Sequence, residues 1–241
     1  MWKPENFNLE TSTVWRFPDH GSWATHDSSY RGNWSPYVSR NLILRYSREG
    51  DTVLDQFCGS GTTLVECRLL YRNGIGVDVN QRALSISRRK TDFAWPNGGE
   101  ISLNEGDARH LHFIPDKSID LICTHPPYAG IIKYSEGIEN DLSLLSLTSF
   151  VEAMKEVAEE SFRVLKKGKY CAVLMGDLRK NGCIIPLGYK VMNAFLDSGF
   201  KLRELIIKEQ YNCKCTAKWV ERSKKYNFLL LAHEHLFVFK K

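Results

Sequence analysis

The chain has 241 residues, of which 43% are hydrophobic and 25% are charged, with a formal net charge of +5. This length and composition predict one globular core with at most a small appendage, and they exclude a low-complexity disordered chain. The charge surplus is compatible with a polyanionic partner but does not require one. The apolar runs are too short to cross a bilayer, which excludes a chain that is mainly membrane-embedded.

The N-terminal sequence and the cysteines indicate where the protein is located and in which redox state. Residues 1–10 are polar and acidic and contain no apolar signal region, so we expect a cytoplasmic protein with no membrane partner. The seven cysteines are an odd number, and several lie inside apolar runs. This pattern indicates reduced cysteines packed as small hydrophobic residues and argues against a secreted disulfide scaffold.

The first fifty residues differ from the rest of the chain. They form a loop-rich segment that includes Trp15, Trp23 and Trp34, and residues 36–46 have the pattern of a helix. We expect residues 1–50 to form an N-terminal cap with a cofactor-side helix, and residues 51–241 to form one catalytic domain.

From residue 51 onward, short β-branched runs alternate with longer amphipathic stretches. The pattern predicts strands at 52–57, 74–79, 101–104, 119–124 and 170–175, with helices at 62–72, 81–93, 147–165 and 186–198. The helix at 147–165 is expected to stop at Lys166-Lys167-Gly168, a basic last turn followed by a glycine. Two final strands at 202–210 and 228–239 have no predicted helix between them, so we expect an antiparallel hairpin at the sheet edge.

Strands that alternate with helices predict an α/β, Rossmann-like fold. We expect a seven-stranded, mostly parallel sheet that ends in the antiparallel C-terminal hairpin. Such a sheet binds its ligands at the carboxyl ends of the strands, so the residues that follow each strand are the candidates for a site.

A glycine-rich turn, Asp-Gln-Phe-Cys-Gly-Ser-Gly-Thr-Thr at 55–63, joins the first of these strands to its helix. Gly59 and Gly61 allow the backbone to turn sharply and to approach a ligand closely. Leu64 stands where a dinucleotide fingerprint needs its third glycine, and the Gly-Lys pair of a phosphate loop is absent. The turn therefore favours a nucleoside ligand without phosphates.

Three acids follow three consecutive predicted strands. Asp55 begins the glycine turn, and Asp78 lies where a carboxylate can accept hydrogen bonds from both ribose hydroxyls. Asp107, in Gly106-Asp107-Ala108, can accept from an adenine amino group. Together the acids fit a ligand with an amino group, a sulfonium, a ribose and an adenine. The alternative for each acid alone is a cap of a helix or turn.

The fourth predicted strand is followed by Thr124-His125-Pro126-Pro127-Tyr128. Two consecutive prolines fix two φ angles and remove two donors, so they give a rigid turn that presents carbonyl groups and flanking side chains. An exocyclic amino nitrogen is a poor nucleophile because its lone pair is delocalised into the ring. The side chain of His125 and the carbonyl oxygen of Pro126 can accept both amino hydrogens, and Tyr128 can stack on a base rotated out of a duplex.

On these two motifs, over about residues 31–241, the chain resembles the adenine-N6 / cytosine-N4 DNA amino-methyltransferase family. That family carries a Phe-x-Gly-x-Gly turn and an Asp/Asn/Ser-Pro-Pro-Tyr loop. The resemblance implies a class I methyltransferase fold, S-adenosyl-L-methionine as the cofactor, double-stranded DNA with a flipped base as the partner, and no metal. It implies cofactor contacts at Asn33, Asp55, Phe57, Gly59, Gly61, Thr62, Asp78, Asp107 and Ala108, and catalytic residues at His125, Pro126, Pro127 and Tyr128.

The chain departs from the family at His125, where Asp, Asn or Ser is usual. A neutral imidazole still accepts a hydrogen bond, and the Thr-x-Pro-Pro-Tyr form is nearer to cytosine-N4 enzymes than to the Asp form, so cytosine is favoured over adenine. No Pro-Cys pair is present, which argues against covalent catalysis. An RNA base, a protein glutamine amide and a catalytically inactive cofactor-binding regulator stay open as alternatives, as do a homodimer and a restriction-system partner.

Three further signals are weaker. Cys213-x-Cys215 and His233-x-His235 have the wrong spacing for a common zinc module. Basic and aromatic residues cluster between the last two predicted strands, and either a nucleic-acid contact or a solvated hairpin tip would explain them; they are Tyr211, Lys214, Lys218, Trp219, Arg222, Lys224, Lys225 and Tyr226. The stretch 129–146 is the other candidate for contacting the target, with Lys133 and Tyr134 as the expected residues.

Overall fold

The computed structural model describes residues 1–5, 7–130, 137–211 and 216–241. The candidate target contacts Lys133 and Tyr134 lie outside the described residues, as do Cys213, Lys214 and Cys215. Among the described residues, no helix combines the length and the apolar character needed to cross a membrane.

The described residues form ten strands and six α-helices. They are β1 (Val14–Trp15), α1 (Pro36–Tyr46), β2 (Thr52–Asp55), α2 (Thr62–Leu69), β3 (Asn73–Asp78), α3 (Gln81–Thr91), β4 (Ile101–Glu105), β5 (Ile119–Thr124), α4 (Leu147–Val164), β6 (Leu165–Met175), β7 (Leu178–Lys180), β8 (Cys183–Ile185), α5 (Leu187–Asp197), β9 (Lys201–Glu209), α6 (Thr216–Tyr226) and β10 (His233–Lys240). A short 3₁₀ turn, Leu142–Leu144, precedes α4.

The main sheet has the strand order β1-β9-β10-β6-β5-β2-β3-β4. Strands β6, β5, β2, β3 and β4 are parallel, and β10 is antiparallel to both β6 and β9. The expected Rossmann-like, mostly parallel sheet with an antiparallel C-terminal pair is confirmed. The sheet has eight strands instead of seven, because β1 from the N-terminal segment adds parallel to β9.

The centre of the sheet is buried on both faces, which explains why its strands have apolar runs without polar alternation. All six residues of β5 are buried. One face is covered by α4 and α5, whose Phe150 and Phe195 are fully buried, and the other by α1, through Leu42 and Ile43. The apolar residues of α4 recur at helical spacing on this buried face, which is why its extent could be predicted closely.

Two expectations about the second half are wrong. Helix α6 lies between β9 and β10, where none was predicted. It has no buried residue among those described, most of its residues are charged or polar, and Leu229 in the apolar run after it is 84% exposed. Helix α4 ends at Val164, and β6 begins at the next residue. Gly168, with a φ of +80°, therefore lies within β6 and does not cap the helix.

The N-terminal segment is fixed to α2 by a buried polar cluster around Glu66. The Glu66 carboxylate accepts hydrogen bonds from Trp23 Nε1 at 2.7 Å and Arg40 Nη1 at 2.7 Å, and His26 Nε2 lies 2.8 Å from it. The Glu66 side chain has no exposed surface and that of Arg40 is 8% exposed. Helix α2 begins at the glycine turn, so this cluster also fixes the segment beside that turn.

The cluster predicts that Glu66→Ala lowers the free energy of unfolding by about 3–5 kcal/mol, because it leaves the buried Arg40 charge without its carboxylate. Urea unfolding at neutral pH measures this. Glu152→Ala is the control, because that surface pair with Lys155 has side chains 61% and 44% exposed and is expected to change stability by less than about 1 kcal/mol. Equal effects of the two substitutions would contradict the assignment.

Candidate active site

A cleft of about 820 Å³ lies at the carboxyl ends of β2, β3, β4 and β5. Ten residues proposed from the sequence line it: Asn33, Asp55, Phe57, Gly59, Thr62, Asp78, Asp107, Ala108, His125 and Pro127. The glycine turn and the two-proline turn therefore border one cleft. The other three predicted residues, Gly61, Pro126 and Tyr128, do not line the cleft. Pro126 is buried, and Gly61 and Tyr128 support the two turns from behind the lining residues.

The two glycines of the turn meet different requirements. Gly61 has a φ of +85°, and a Cβ there would lie 2.3 Å from Ser87 Oγ, so the start of α2 packs directly on α3. Gly59 has a φ of +51°, and a Cβ there would lie 3.2 Å from the ring of Tyr30. Gly59 therefore borders the cleft, whereas Gly61 permits the packing of two helices.

The carboxylate of Asp55 connects the two turns. It accepts hydrogen bonds from Thr63 Oγ1 and the Phe57 backbone N–H in the glycine turn, and from Thr124 Oγ1 at 3.0 Å, directly before His125. Asp55 is 3% exposed. Burial raises its pKa to about 6, although these hydrogen bonds oppose the shift.

Asp78 and Asp107 have different surroundings. Asp78 accepts from the backbone N–H groups of Gly59 and Asn80, both at 2.9 Å, and burial raises its pKa above the ordinary value. Burial also acts to raise the pKa of Asp107, but the hydrogen bonds and charge of Arg109 outweigh it, and the pKa is lowered. Arg109 Nη2 lies 2.6 Å from an Asp107 oxygen. Asp107 is therefore an ionised, paired carboxylate.

The N-terminal segment closes one side of the cleft. Asn33 accepts a hydrogen bond from Ser60 Oγ at 2.6 Å and so joins this segment to the glycine turn. Trp34 is 5% exposed, and its ring stacks on that of His125, with centroids 6.0 Å apart and planes 21° apart. The segment thus contacts both turns of the site.

His125 faces the cleft with a side chain that is 12% exposed. Neither ring nitrogen makes a hydrogen bond of good geometry among the residues that the structure describes, although the Gly32 backbone lies close enough to favour the protonated ring. Burial lowers its pKa below the ordinary 6.5, and the nearby charge of Glu234 opposes this shift. The imidazole is therefore neutral at pH 7, with one nitrogen able to accept a hydrogen bond and the other able to donate.

Glu234 and Lys208 are functional candidates that the sequence did not reveal. Glu234 Oε1 accepts from Tyr128 Oη at 2.7 Å and lies 3.7 Å from His125 Nε2, and Lys208 Nζ donates to Glu234 Oε2 at 2.9 Å. Tyr128 Oη also accepts from the Gly176 backbone N–H at 3.1 Å. The one sequence signal was a charged residue inside the apolar run of β10, where Glu234 is only 5% exposed.

Two family models match the chain. One, described as a methyltransferase domain, matches residues 47–228. The other, described as a DNA methylase, matches residues 2–89. The second match includes the N-terminal segment, the glycine turn and Asp78.

Curated relatives include enzymes on DNA and on tRNA. The chain is 33% identical over 113 residues to a tRNA (guanine(10)-N2)-dimethyltransferase of Methanothermobacter thermautotrophicus, covering 46% of this chain and 32% of that protein. It is 35% identical over 82 residues to the type II methyltransferase M.HpaI of Haemophilus parainfluenzae, covering 34% of this chain and 26% of that protein. The matched part spans about a third or less of each of these relatives.

Solved structures share the fold. TrmN from Thermus thermophilus superposes with a TM-score of 0.60 at 22% identity, covering 88% of this chain and 50% of that chain. A SAM-dependent methyltransferase from Methanosarcina mazei superposes with a TM-score of 0.58 at 17% identity, covering 83% of this chain and 96% of that chain. These likenesses show the class I methyltransferase fold.

The raised pKa of Asp55 predicts a specific pH dependence of stability. In the folded chain Asp55 keeps its proton up to about pH 6, whereas the ordinary value is 3.8. The folded state therefore binds more protons between these values, and stability decreases as pH rises through the interval. The gap corresponds to about 3 kcal/mol. The free energy of unfolding of the wild type, relative to Asp55→Asn, should fall by about this amount between pH 4 and pH 7.

Asp120→Asn is the control, because the change of stability with pH that is expected for Asp120 has the opposite sign. Burial acts to raise the pKa of Asp120, but Lys166 and Lys169 lower it below the ordinary value. The wild type should therefore gain stability relative to Asp120→Asn as pH rises from acid. Urea titrations of the three proteins at several pH values measure both slopes. If the free energies of unfolding of the wild type and of Asp55→Asn changed with pH in parallel, the raised pKa of Asp55 would be contradicted.

Proposed function

Because the chain belongs to the methyltransferase-domain family and has S-adenosyl-L-methionine as its cofactor, we propose that it methylates the exocyclic amino group of a flipped base in DNA. The observation that carries this proposal is the single cleft bordered by both the glycine turn and the His-Pro-Pro-Tyr turn. The first turn belongs to a cofactor site, and the second presents acceptors for an amino group. No covalent enzyme intermediate is needed.

The cleft residues fit the cofactor. It supplies an electrophilic methyl group on a positively charged sulfur, next to a ribose and an adenine. Asp78 would accept from the ribose hydroxyls, since each of its oxygens has a further lone pair, and Asp107 with Ala108 would hold the adenine. Gly59 keeps the turn free of a side chain that would narrow the cleft against Tyr30. Phe57 and Thr62, which also line the cleft, would contact the cofactor from the turn.

Asp55 and Asn33 require a revised role within this proposal. Three protein groups already donate to the Asp55 carboxylate, so we assign it the positioning of the glycine turn in addition to the contact expected with the amino end of the cofactor. Asn33 is bonded to Ser60, so it would act from the N-terminal segment. We treat residues 1–50 as a cap on the catalytic domain, 51–241.

The second turn would hold the base. Neutral His125 accepts one amino hydrogen, and the Pro126 carbonyl oxygen accepts the other, so that the nitrogen lone pair is directed out of the ring plane. His125 can then take the proton that the methylated nitrogen releases. Pro127 would fix the turn, and Tyr128, whose hydroxyl is held by Glu234 and the Gly176 N–H outside the cleft lining, would support the turn that carries His125.

DNA is the preferred substrate, with cytosine-N4 ahead of adenine-N6. The DNA methylase match at residues 2–89 and the type II relatives support DNA. The tRNA dimethyltransferase relative makes an RNA amino group the second candidate. An inactive cofactor-binding regulator is disfavoured by the neutral, accessible acceptor at His125. We place the reaction in the cytoplasm.

Methyl transfer from radiolabelled cofactor to duplex DNA, total tRNA and protein, measured side by side, tests the proposal. Digestion of the labelled DNA to nucleosides and mass spectrometry should identify N4-methylcytosine. N6-methyladenine would keep the function and change the base. Label in tRNA or protein alone, or in no acceptor, would refute the DNA proposal.

The His125 assignment predicts an acid limb in the pH profile of kcat. A protonated imidazole cannot accept the amino hydrogen, and burial lowers the pKa of His125, so the limb should lie below pH 6.5. His125→Ala should reduce kcat by about a hundredfold with little change in cofactor affinity. His125→Asn restores a side chain usual in the family, so it should retain activity and lose the limb. An unchanged limb in His125→Asn would contradict the assignment.

A further inference from the structure

Helix α6 presents an exposed basic face that the proposed chemistry does not use. It carries Lys218, Arg222, Lys224 and Lys225 against a single acid, Glu221, which pairs with Lys224 at 3.1 Å. No residue of the helix is buried. Tertiary packing therefore contributes little to the stability of this helix.

Aromatic rings and cations alternate across this surface. Arg222 lies over the ring of Trp219 at 4.8 Å, and Trp219 meets Phe228 edge-on with centroids 6.4 Å apart. Arg179 of β7 lies over the other ring, Phe228, at 5.4 Å. Arg179 also donates to the Leu229 carbonyl at 2.9 Å, which joins the β7–β8 hairpin to the segment after α6. Although it contacts Arg222 and Phe228, Trp219 is still 45% exposed.

This surface lies on the same edge of the sheet as the cleft. The connection that contains α6 leaves β9 at Glu209 and enters β10 at His233, and these two residues are paired. His235 is paired with Met175, at the carboxyl end of β6. The next residue, Gly176, donates to Tyr128 of the catalytic turn. A short stretch of backbone therefore connects the catalytic turn to Arg179 and the surface.

We propose that α6 and the β7–β8 hairpin form the DNA-docking surface of the enzyme, with Lys218, Arg222 and Lys225 on the phosphate backbone and Trp219 against a base or sugar. The proposal rests on the function proposed above. Cations that flank a half-exposed indole match a phosphodiester chain with exposed rings. An acidic protein partner would match the charges but not the alternating rings.

The contribution of the cations to DNA binding is tested by measuring the affinity of the full chain for a fluorescently labelled DNA duplex at several salt concentrations. The variant Lys218→Ala/Arg222→Ala/Lys225→Ala should bind DNA at least about tenfold more weakly at moderate salt, with a salt slope reduced by about one per residue. The control, Arg48→Ala/Arg88→Ala/Arg89→Ala, removes the same charge from exposed residues at the opposite sheet edge. It should change affinity by less than about twofold, because those charges are screened from the docking face.

Trp219→Ala tests the stacking contribution separately. It should weaken DNA binding about tenfold and leave the salt slope unchanged, because no phosphate contact is lost. Trp2→Ala is the matched control, since both side chains are 45% exposed and Trp2 packs on Phe93, away from the cleft. Thermal melting and cofactor binding of all four variants should equal those of the wild type.

The outcomes separate this inference from the proposed function. Unchanged DNA affinity and salt slope in the basic variant, with wild-type methyl transfer to DNA intact, would overturn the docking surface alone. The docking surface would also be overturned if the basic variant lost binding to tRNA, or to polyglutamate as a model of an acidic protein partner, while its DNA binding stayed unchanged. Absence of methyl transfer to any DNA would be read in the transfer assay and would refute the function itself.

Discussion

The site depends on one buried carboxylate that joins two turns which are distant in sequence. Asp55 accepts from Thr63 at the start of α2 and from Thr124 at the end of β5, so each turn is fixed relative to the other. Burying a carboxylate is unfavourable, and its pKa of about 6 reflects that cost. Hydrogen bonds from Thr63, Phe57 and Thr124 offset part of the cost, and they fix the glycine turn and the two-proline turn against one cleft.

A second buried carboxylate, Glu234, fixes the side chains around the two-proline turn. Glu234 orients Tyr128 and lies near His125, and Lys208 balances its charge. Burial acts to raise the pKa of Glu234, but Lys208 and the neighbouring donors lower it, so it is ionised. His125, in contrast, is kept neutral by burial. A neutral imidazole is thus held next to an anion without becoming protonated at neutral pH.

The parallel core could be predicted because its signals are local. Strand β5 is an apolar run, α4 has a helical period, and the glycine turn follows a strand directly. The elements that were missed depend on distant partners. Strand β1 has two residues and exists only because Val14 pairs with Ile207, and Glu234 reaches Tyr128 across more than a hundred positions. Helix α6 buries none of its described residues and is mostly charged and polar, so it carries no core signal that marks it as an element of the fold.

A crystal structure with the cofactor analogue sinefungin and a duplex oligonucleotide would locate cofactor and base together. We expect the analogue to lie along the glycine turn beside Asp78, and a flipped base to have its amino group within hydrogen-bond distance of His125 and the Pro126 carbonyl oxygen. An analogue bound elsewhere, or a base whose amino group faces away from the two-proline turn, would contradict the proposed site.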